Sequence, residues 1–250
     1  MAERPIFIPW SEGTHLVKEV AVSFVWNKGM APSQKKKNIV ALHAAAAKRG
    51  LSPLLEVSTK SDELVGQRLS AFSLKVQIGG TDLVPIECAF QGSKVFEHGG
   101  PYTDLYKVES REAKRDERLR ASGNLVAFKF EGIEFPLMPK TAFYDWLYIK
   151  ALYQHREYLR RLHVYAGFTD IEFNPERSIN CQARSCAMFV ALQKKGLLDI
   201  SQDSPAEFIK ILLPDSILQP HSVADRQQRL FTDISANNGF HSAADKAPRR

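Results

Sequence analysis

The chain has 250 residues, 44% hydrophobic and 25% charged, which is enough to build one sizeable core. Its net charge of +6 suits an anionic partner without specifying one. No apolar run approaches the ~18 residues of a spanning helix, so no membrane association is expected. The N-terminus lacks the basic-then-apolar layout of a secretory signal, and cytoplasm is the expected compartment. Three cysteines, Cys88, Cys181 and Cys186, have neither disulfide-framework nor zinc-ligand spacing, so no metal or cofactor is expected.

In chain order, residues 1–10, with Pro5 and Pro9 around Ile6-Phe7-Ile8, read as a short extended arm. Val20 to Trp26 is rich in β-branched and aromatic residues and predicts a strand. Ser33 is placed to cap a helix that runs to about Arg49 and closes at Gly50. Its Lys35-Lys36-Lys37 start opposes the helix dipole and leaves open either a phosphate-facing role or a solvated basic turn. Leu54 to Ser58 predicts a second strand. His98-Gly99-Gly100-Pro101 must be a loop, Ser110 to Arg120 reads as a charged helix, and Val126 to Phe135 as a hairpin turning at Glu131-Gly132. Helical spacing of Trp146, Ile149, Leu152, Leu159 and Leu162 predicts one long helix from Thr141 to about Tyr165. A further buried helix is expected from Ala183 to Lys195, stopped by Gly196. Residues 220–250 are polar and aperiodic, expected as a disordered or loosely attached tail.

The stretch Val84 to Phe96 carries most of the chemistry. Pro85 followed by helix formers predicts a helix start, and Glu87, Gln91 and Lys94 then fall at i, i+4 and i+7 on one face. Lys94 would lie about 10 Å from Glu87 along that face, a span for a ligand laid across the helix. A solvated polar stripe has the same spacing. The segment resembles the signature of the NADAR (YbiA-like) family, W-P-[ST]-x-E-H-x-[YF]-Q-A-x-K-F, in Pro85, Glu87, Phe90, Gln91, Lys94 and Phe96. Val84 stands for its Trp, Cys88 for its His, and Val95 is inserted. Leu69-Ser70-Ala71-Phe72-Ser73 resembles the L-S-N-F-S strand before that signature. Ser110 to Arg115 resembles the S-P-x-E-A-K helix after it. Asp145-Trp146, Gln154-His155, Leu159 and Asp170-Ile171-Glu172 resemble its closing run. The family's W-G pair near the end is missing, replaced by Pro175 to Ser185. Val25-Trp26 with Gln34-Lys35, and Leu55 to Ser61, resemble the extension of the branch associated with DarT-type DNA ADP-ribosyltransferases.

The resemblance implies an α+β, mostly helical single domain with a small β-sheet: an N-terminal strand-helix-strand extension over 1–66 and a catalytic domain over 67–219. It implies a DNA ADP-ribosyl glycohydrolase that takes ADP-ribose off guanine in single-stranded DNA, with ADP-ribose as product and a cognate DarT-type toxin. Its alternatives are a glycosidase of riboflavin-pathway intermediates and a non-catalytic ADP-ribose- or toxin-binding module. Cleaving an N-glycosidic bond needs a group to stabilise positive charge at the ribose C1 and proton transfer to the leaving base. Glu87 is the expected carboxylate. Lys94 is expected either to attack C1 as an amine or to hold a phosphate. Glu172 is expected as a second carboxylate or an exposed strand-end acid. Phe72, Ser73 and Tyr102 are expected at the cleft, with Gln91 beside the catalytic pair. Asp145 is expected as ligand or first-turn acid, and Trp146 as stacking surface or core. Asn180, Gln182 and Arg184 are expected as a diphosphate fork or as helix-start residues. His98 is a loop histidine open to carrying a proton.

Overall fold

A computed structural model of the chain describes residues 1–29, 31–176 and 178–217; the expected tail over 220–250 lies outside the described residues. The chain begins with β1 (Ala2–Pro9), β2 (Val17–Phe24), α1 (Pro32–Ala47), β3 (Leu54–Glu56) and α2 (Leu64–Arg68). Next come β4 (Lys75–Ile78), β5 (Asp82–Pro85), α3 (Ile86–Gly92), β6 (Lys94–Phe96), α4 (Ser110–Ala113) and α5 (Arg118–Ala121). The last are β7 (Leu125–Phe130), β8 (Ile133–Phe135), α6 (Ala142–Tyr153), β9 (Gly167–Thr169), α7 (Gln182–Lys195), α8 (Leu198–Asp203) and α9 (Pro205–Ile217).

The architecture is α+β, with its strands in three small sheets ordered β2-β1-β9-β3, β4-β5 and β6-β7-β8. The extended first residues form a strand: β1 pairs antiparallel with β2 along its length, meets β9 at Phe168 and buries Ile6 and Phe7. β3 lies parallel to β9, Leu55 opposite Phe168 and Glu56 opposite Thr169. The N-terminal segment is thereby sewn to the part of the chain that leads into α7. α1 begins two residues earlier than expected, with Pro32 as its first residue, Ala31 in place of Ser33 at the cap position and no side-chain cap.

α6 is buried on every side except at Lys150 and Tyr153, as a helix surrounded by protein must be. Phe143 stacks on Phe128 at 4.6 Å, and Trp146 meets Phe135 at 4.9 Å, which pins α6 to the β6-β7-β8 sheet. Each such buried ring contributes about 1.5–3 kcal/mol. α7 packs on α6 and stops at Gly196, whose φ of 68° is the left-handed stop expected there.

Three expected elements differ. The long helix ends at Tyr153, and the chain resumes as a 3-10 helix over Tyr158–Val164. Leu159 and Leu162, three apart, are buried together by that three-residue turn, whereas the residues between are polar. The charged helix of 110–120 is two single turns, α4 and α5, because Asp116 accepts the Arg118 N–H at 2.9 Å and restarts the chain. Leu69 to Ser73 is a turn rather than a strand, and the strand that follows is β4.

Candidate active site

β5 runs directly into α3, so Pro85 serves as the helix boundary and Glu87 lies in the first turn. α3 ends at Gly92. A Cβ there would come within 2.6 Å of the Tyr106 ring, and the Ser93 hydroxyl, 2.9 Å from that of Tyr106, holds the exit. Lys94 therefore opens β6 instead of extending the helix, which corrects the expected i+7 placement. The turn brings the amine back towards the acid. Gln91 Nε2 donates to Glu87 Oε1 at 2.9 Å, and Lys94 Nζ donates to Gln91 Oε1 at 2.7 Å. One amide thus links carboxylate and amine, in place of the open span the helix would have left between them.

Lys94 Nζ also lies 5.0 Å from the centre of the Phe90 ring. Burial pushes its pKa down to about 8, with Glu87 pulling up and Lys114 pushing down. Lys114 is a residue the sequence reading did not single out. Its Nζ stands 3.8 Å from Glu87 Oε1 and 6.0 Å from the Phe72 ring, and it is largely exposed while Glu87 is buried. Phe72 and Ser73 are exposed at the same rim. Their turn is fixed from behind: Gln182 Oε1 accepts the Ala71 N–H at 2.7 Å, Tyr148 donates to the Leu69 carbonyl, and Glu87 N–H reaches the Ala71 carbonyl at 3.3 Å.

Beyond Gln182 is a second acidic centre. Gln182 hydrogen-bonds Asp170, which is buried with Glu56. Glu56 accepts from the Thr169 hydroxyl at 2.7 Å and the Ile171 N–H at 2.9 Å, and His43 Nε2 touches that hydroxyl at 2.8 Å. Burial first, and then Asp170, holds the Glu56 carboxyl well above the usual range; burial raises Asp170 as well. Tyr144, edge-on to Phe90 at 5.3 Å, connects the two centres: burial raises its phenol, and Glu87, Cys181 and Asp170 push the same way. Glu172 itself is exposed, the second of the two expectations for it, and gives its N–H to Asp170 at 3.0 Å; the buried acid is two residues earlier. A Glu set in the apolar run Leu54-Leu55-Glu56-Val57 was the available signal for its partner.

Along residues 2–222 the chain matches a family model described as DarT1-associated NADAR antitoxin. The chain belongs to that family. No curated protein matches it. In this NADAR-family chain several expected site residues lie apart from the Glu87–Lys94 pair. Trp146 is enclosed by Phe130 and Phe135, so it is core and not a stacking surface. Asp145 takes Arg184 Nη1 and the Ser185 hydroxyl, both at 2.6 Å, and is buried; it braces α6 against α7 instead of facing a ligand. The same bond turns the Arg184 fork inward. Asn180 is half-buried, and its Oδ1 has no hydrogen-bond partner. Tyr102 bonds Ser122 and carries the Arg118 guanidinium 4.5 Å over its ring, so that face is occupied. His98 is exposed on its loop.

A surface groove of about 630 Å³ between the β4-β5 and β7-β8 hairpins contains neither Glu87 nor Lys94; Leu83, Tyr106, Lys107 and Lys129 are among its walls. Among the described residues no helix is long and apolar enough to cross a membrane, and no group of three His, Cys, Asp or Glu is placed to hold a metal.

The Glu56–Asp170 pair sets a pH test. Folding raises Glu56 to about 8 and Asp170 to about 7, so the folded chain holds more protons and loses stability as pH rises through those values. His43, pushed by burial from 6.5 down to about 4, acts in the opposite sense and only at more acid pH. Between pH 6.5 and 8 the Tm of the wild type is therefore expected to fall. Glu56→Gln, whose oxygen can still accept the Ile171 N–H while its NH2 donates to the Thr169 hydroxyl, is expected to flatten that slope; an unchanged slope in thermal melts would refute the assignment.

Proposed function

We propose that this protein is a DNA ADP-ribosyl glycohydrolase that releases ADP-ribose from guanine bases and so counters a DarT-type toxin. One observation carries the reading: the Glu87–Gln91–Lys94 chain of hydrogen bonds, in which a half-buried lysine has its pKa lowered to about 8 beside a buried carboxylate. An amine with a pKa near the working pH is free often enough to attack a carbon and still basic enough to accept protons.

The reaction runs as an exchange of imines. The ribose ring opens as the N–H proton of the guanine amino group moves to the ring oxygen, leaving a C1=N bond to guanine. The neutral Lys94 amine adds to C1. Glu87 carries the two protons of the new Lys94–C1 nitrogen, one after the other, to the guanine nitrogen. Guanine leaves with both hydrogens, and C1 is left as an imine of Lys94. Water adds to that imine, the C1–Lys94 bond breaks, and the freed aldehyde closes to ADP-ribose. Gln91 keeps acid and amine within proton-transfer reach. Lys114 and Phe72 stand at the rim, one suited to a phosphate and the other to a base.

A guanine in a duplex cannot reach a buried carboxylate, so the substrate is single-stranded or extruded. The test is incubation with a single-stranded oligonucleotide carrying ADP-ribosylated guanine. Free ADP-ribose and unmodified guanine are expected by mass spectrometry. Tight binding without release would replace the reading with sequestration.

A further inference from the structure

The branch-specific stretch Val25-Trp26…Gln34-Lys35 takes no part in the catalytic pair, and the structure gives it an arrangement of its own. Trp26 lies two residues past the end of β2, and two cations from other elements lie on it. The Arg4 guanidinium of β1 is 5.2 Å from the ring centre, and Lys35 Nζ of α1 is 5.6 Å away. Phe24 backs the ring at 5.9 Å. The loop between is locked: Asn38 Oδ1 accepts the Asn27 N–H at 2.7 Å, and Asn38 Nδ2 donates to the Asn27 carbonyl at 3.0 Å. Gln34 packs so close to Gly29 that a Cβ there would lie 3.1 Å from it, at a φ of 123°. Two positive charges are thus held on one rigid ring.

Their neighbours add to the charge. Lys28 and Lys37 are exposed, and the first turn of α1 holds no acidic residue. Lys36 turns away to Asp62 at 2.5 Å. Arg4 Nε is buried with no hydrogen-bond partner, and burial lowers its pKa while Glu176 and Asp170 oppose that. Those two acids place the patch beside the 170–176 loop, and Asp170 is also the acid next to Tyr144 and, through it, Glu87. Glu3 is the acid adjacent in sequence, and it accepts from Ser23 at 3.3 Å. Arg4 is thus near Glu176 and Asp170, on the side of the protein that carries the Glu56–Asp170 centre.

We propose that Arg4 and Lys35, mounted on Trp26, together with the exposed Lys28 two residues along the chain from that ring, grip the phosphodiester backbone of the substrate strand a few nucleotides from the modified guanine. This rests on the hydrolase reading above. The shared chemistry is a phosphate ester, which the diphosphate of ADP-ribose also supplies, and a cation pair on an aromatic platform binds either as point charges. A strand offers several phosphates in a row, enough for cations from β1, α1 and the loop between β2 and α1, whereas one diphosphate offers two.

The test compares Lys35→Gln, and separately the exposed Lys28→Glu, with wild type on two substrates: an ADP-ribosylated single-stranded oligonucleotide and ADP-ribosylated guanosine, which has no strand. KM for the oligonucleotide is expected to rise at least tenfold more than KM for the nucleoside. In anisotropy titrations with unmodified single-stranded DNA, each lost phosphate contact is expected to make the log–log salt slope shallower by about 0.7. Arg160→Gln/Arg161→Gln, on the basic face of the 3-10 helix, is the charge control and is expected to do less. Equal losses on both substrates would assign the patch to the diphosphate, and equal losses in the control would make it a general charge effect; either overturns the proposal. If the wild type hydrolyses neither substrate yet the Lys variants bind DNA with a shallower salt slope, the hydrolase reading fails and the strand site stands.

Discussion

Lys94→Arg is expected to lower the release of ADP-ribose by roughly 10³-fold or more, although it keeps a positive charge and a donor towards Gln91. A guanidinium stays protonated at any working pH and cannot serve as the attacking amine. In the wild type the free amine grows as pH rises through about 8, so kcat/KM is expected to climb with a unit slope below that value and level above it. Hydride reduction during turnover is expected to leave a stable adduct on Lys94, located by peptide mass spectrometry. A lysine that only held a phosphate would give the reverse: activity falling above pH 8, much of it kept by arginine, and no adduct. That pattern would end the covalent reading.

Glu87→Gln is expected to cost roughly 10²–10⁴ in kcat, because the amide still accepts from Gln91 but no longer moves a proton. It has a second signature. Glu87 holds the Lys94 pKa up, so removing its charge is expected to shift the acid limb of the pH profile downwards, even as the plateau drops. Lys114→Gln is expected to shift the limb the other way, since Lys114 holds that pKa down. ADP-ribose affinity of Glu87→Gln, measured by calorimetry, is expected to stay within a few-fold of wild type. A Glu87→Gln protein that still neutralises the toxin in co-expression would show that gripping, not turnover, is the function.

These two experiments probe a pair whose members were readable from the chain but whose relation was not. Pro85 and the helix formers after it announce α3, and Glu87 and Gln91 fall on one face as their spacing of four requires. Where α3 stops was not readable. At that end Tyr106 and Tyr102 crowd Gly92, and those residues arrive from a 3-10 turn ten or more positions later. The turn there, not the helix, gives Lys94 its place. Lys114 stood in the Ser110–Arg115 block, at the Lys of the motif that block resembles, but only the fold shows that it reaches a buried acid and does not simply face water.

The second acidic centre shows the same limit at longer range. Asp170-Ile171-Glu172 offers two acids to any reader, and only the parallel pairing of β3 with β9 puts the first inside and leaves the second outside. Trp146 and Asp145 were open between ligand and core until Phe135 closed over the one and Arg184 and Ser185 over the other.

By itself the sequence determined the punctuation of this protein and its kinship. The Glu131-Gly132 turn, the Gly196 stop and the run of blocks ending at Glu172 depend on the conformational range of single residues or on their order, and both are written locally. The tertiary structure alone decided which charges lose their water. Glu56 and Thr169 lie 113 residues apart, and Ala71 and Gln182 lie 111 apart. The desolvation that tunes a lysine or a carboxyl is the sum of everything packed around it, and most of that comes from distant chain.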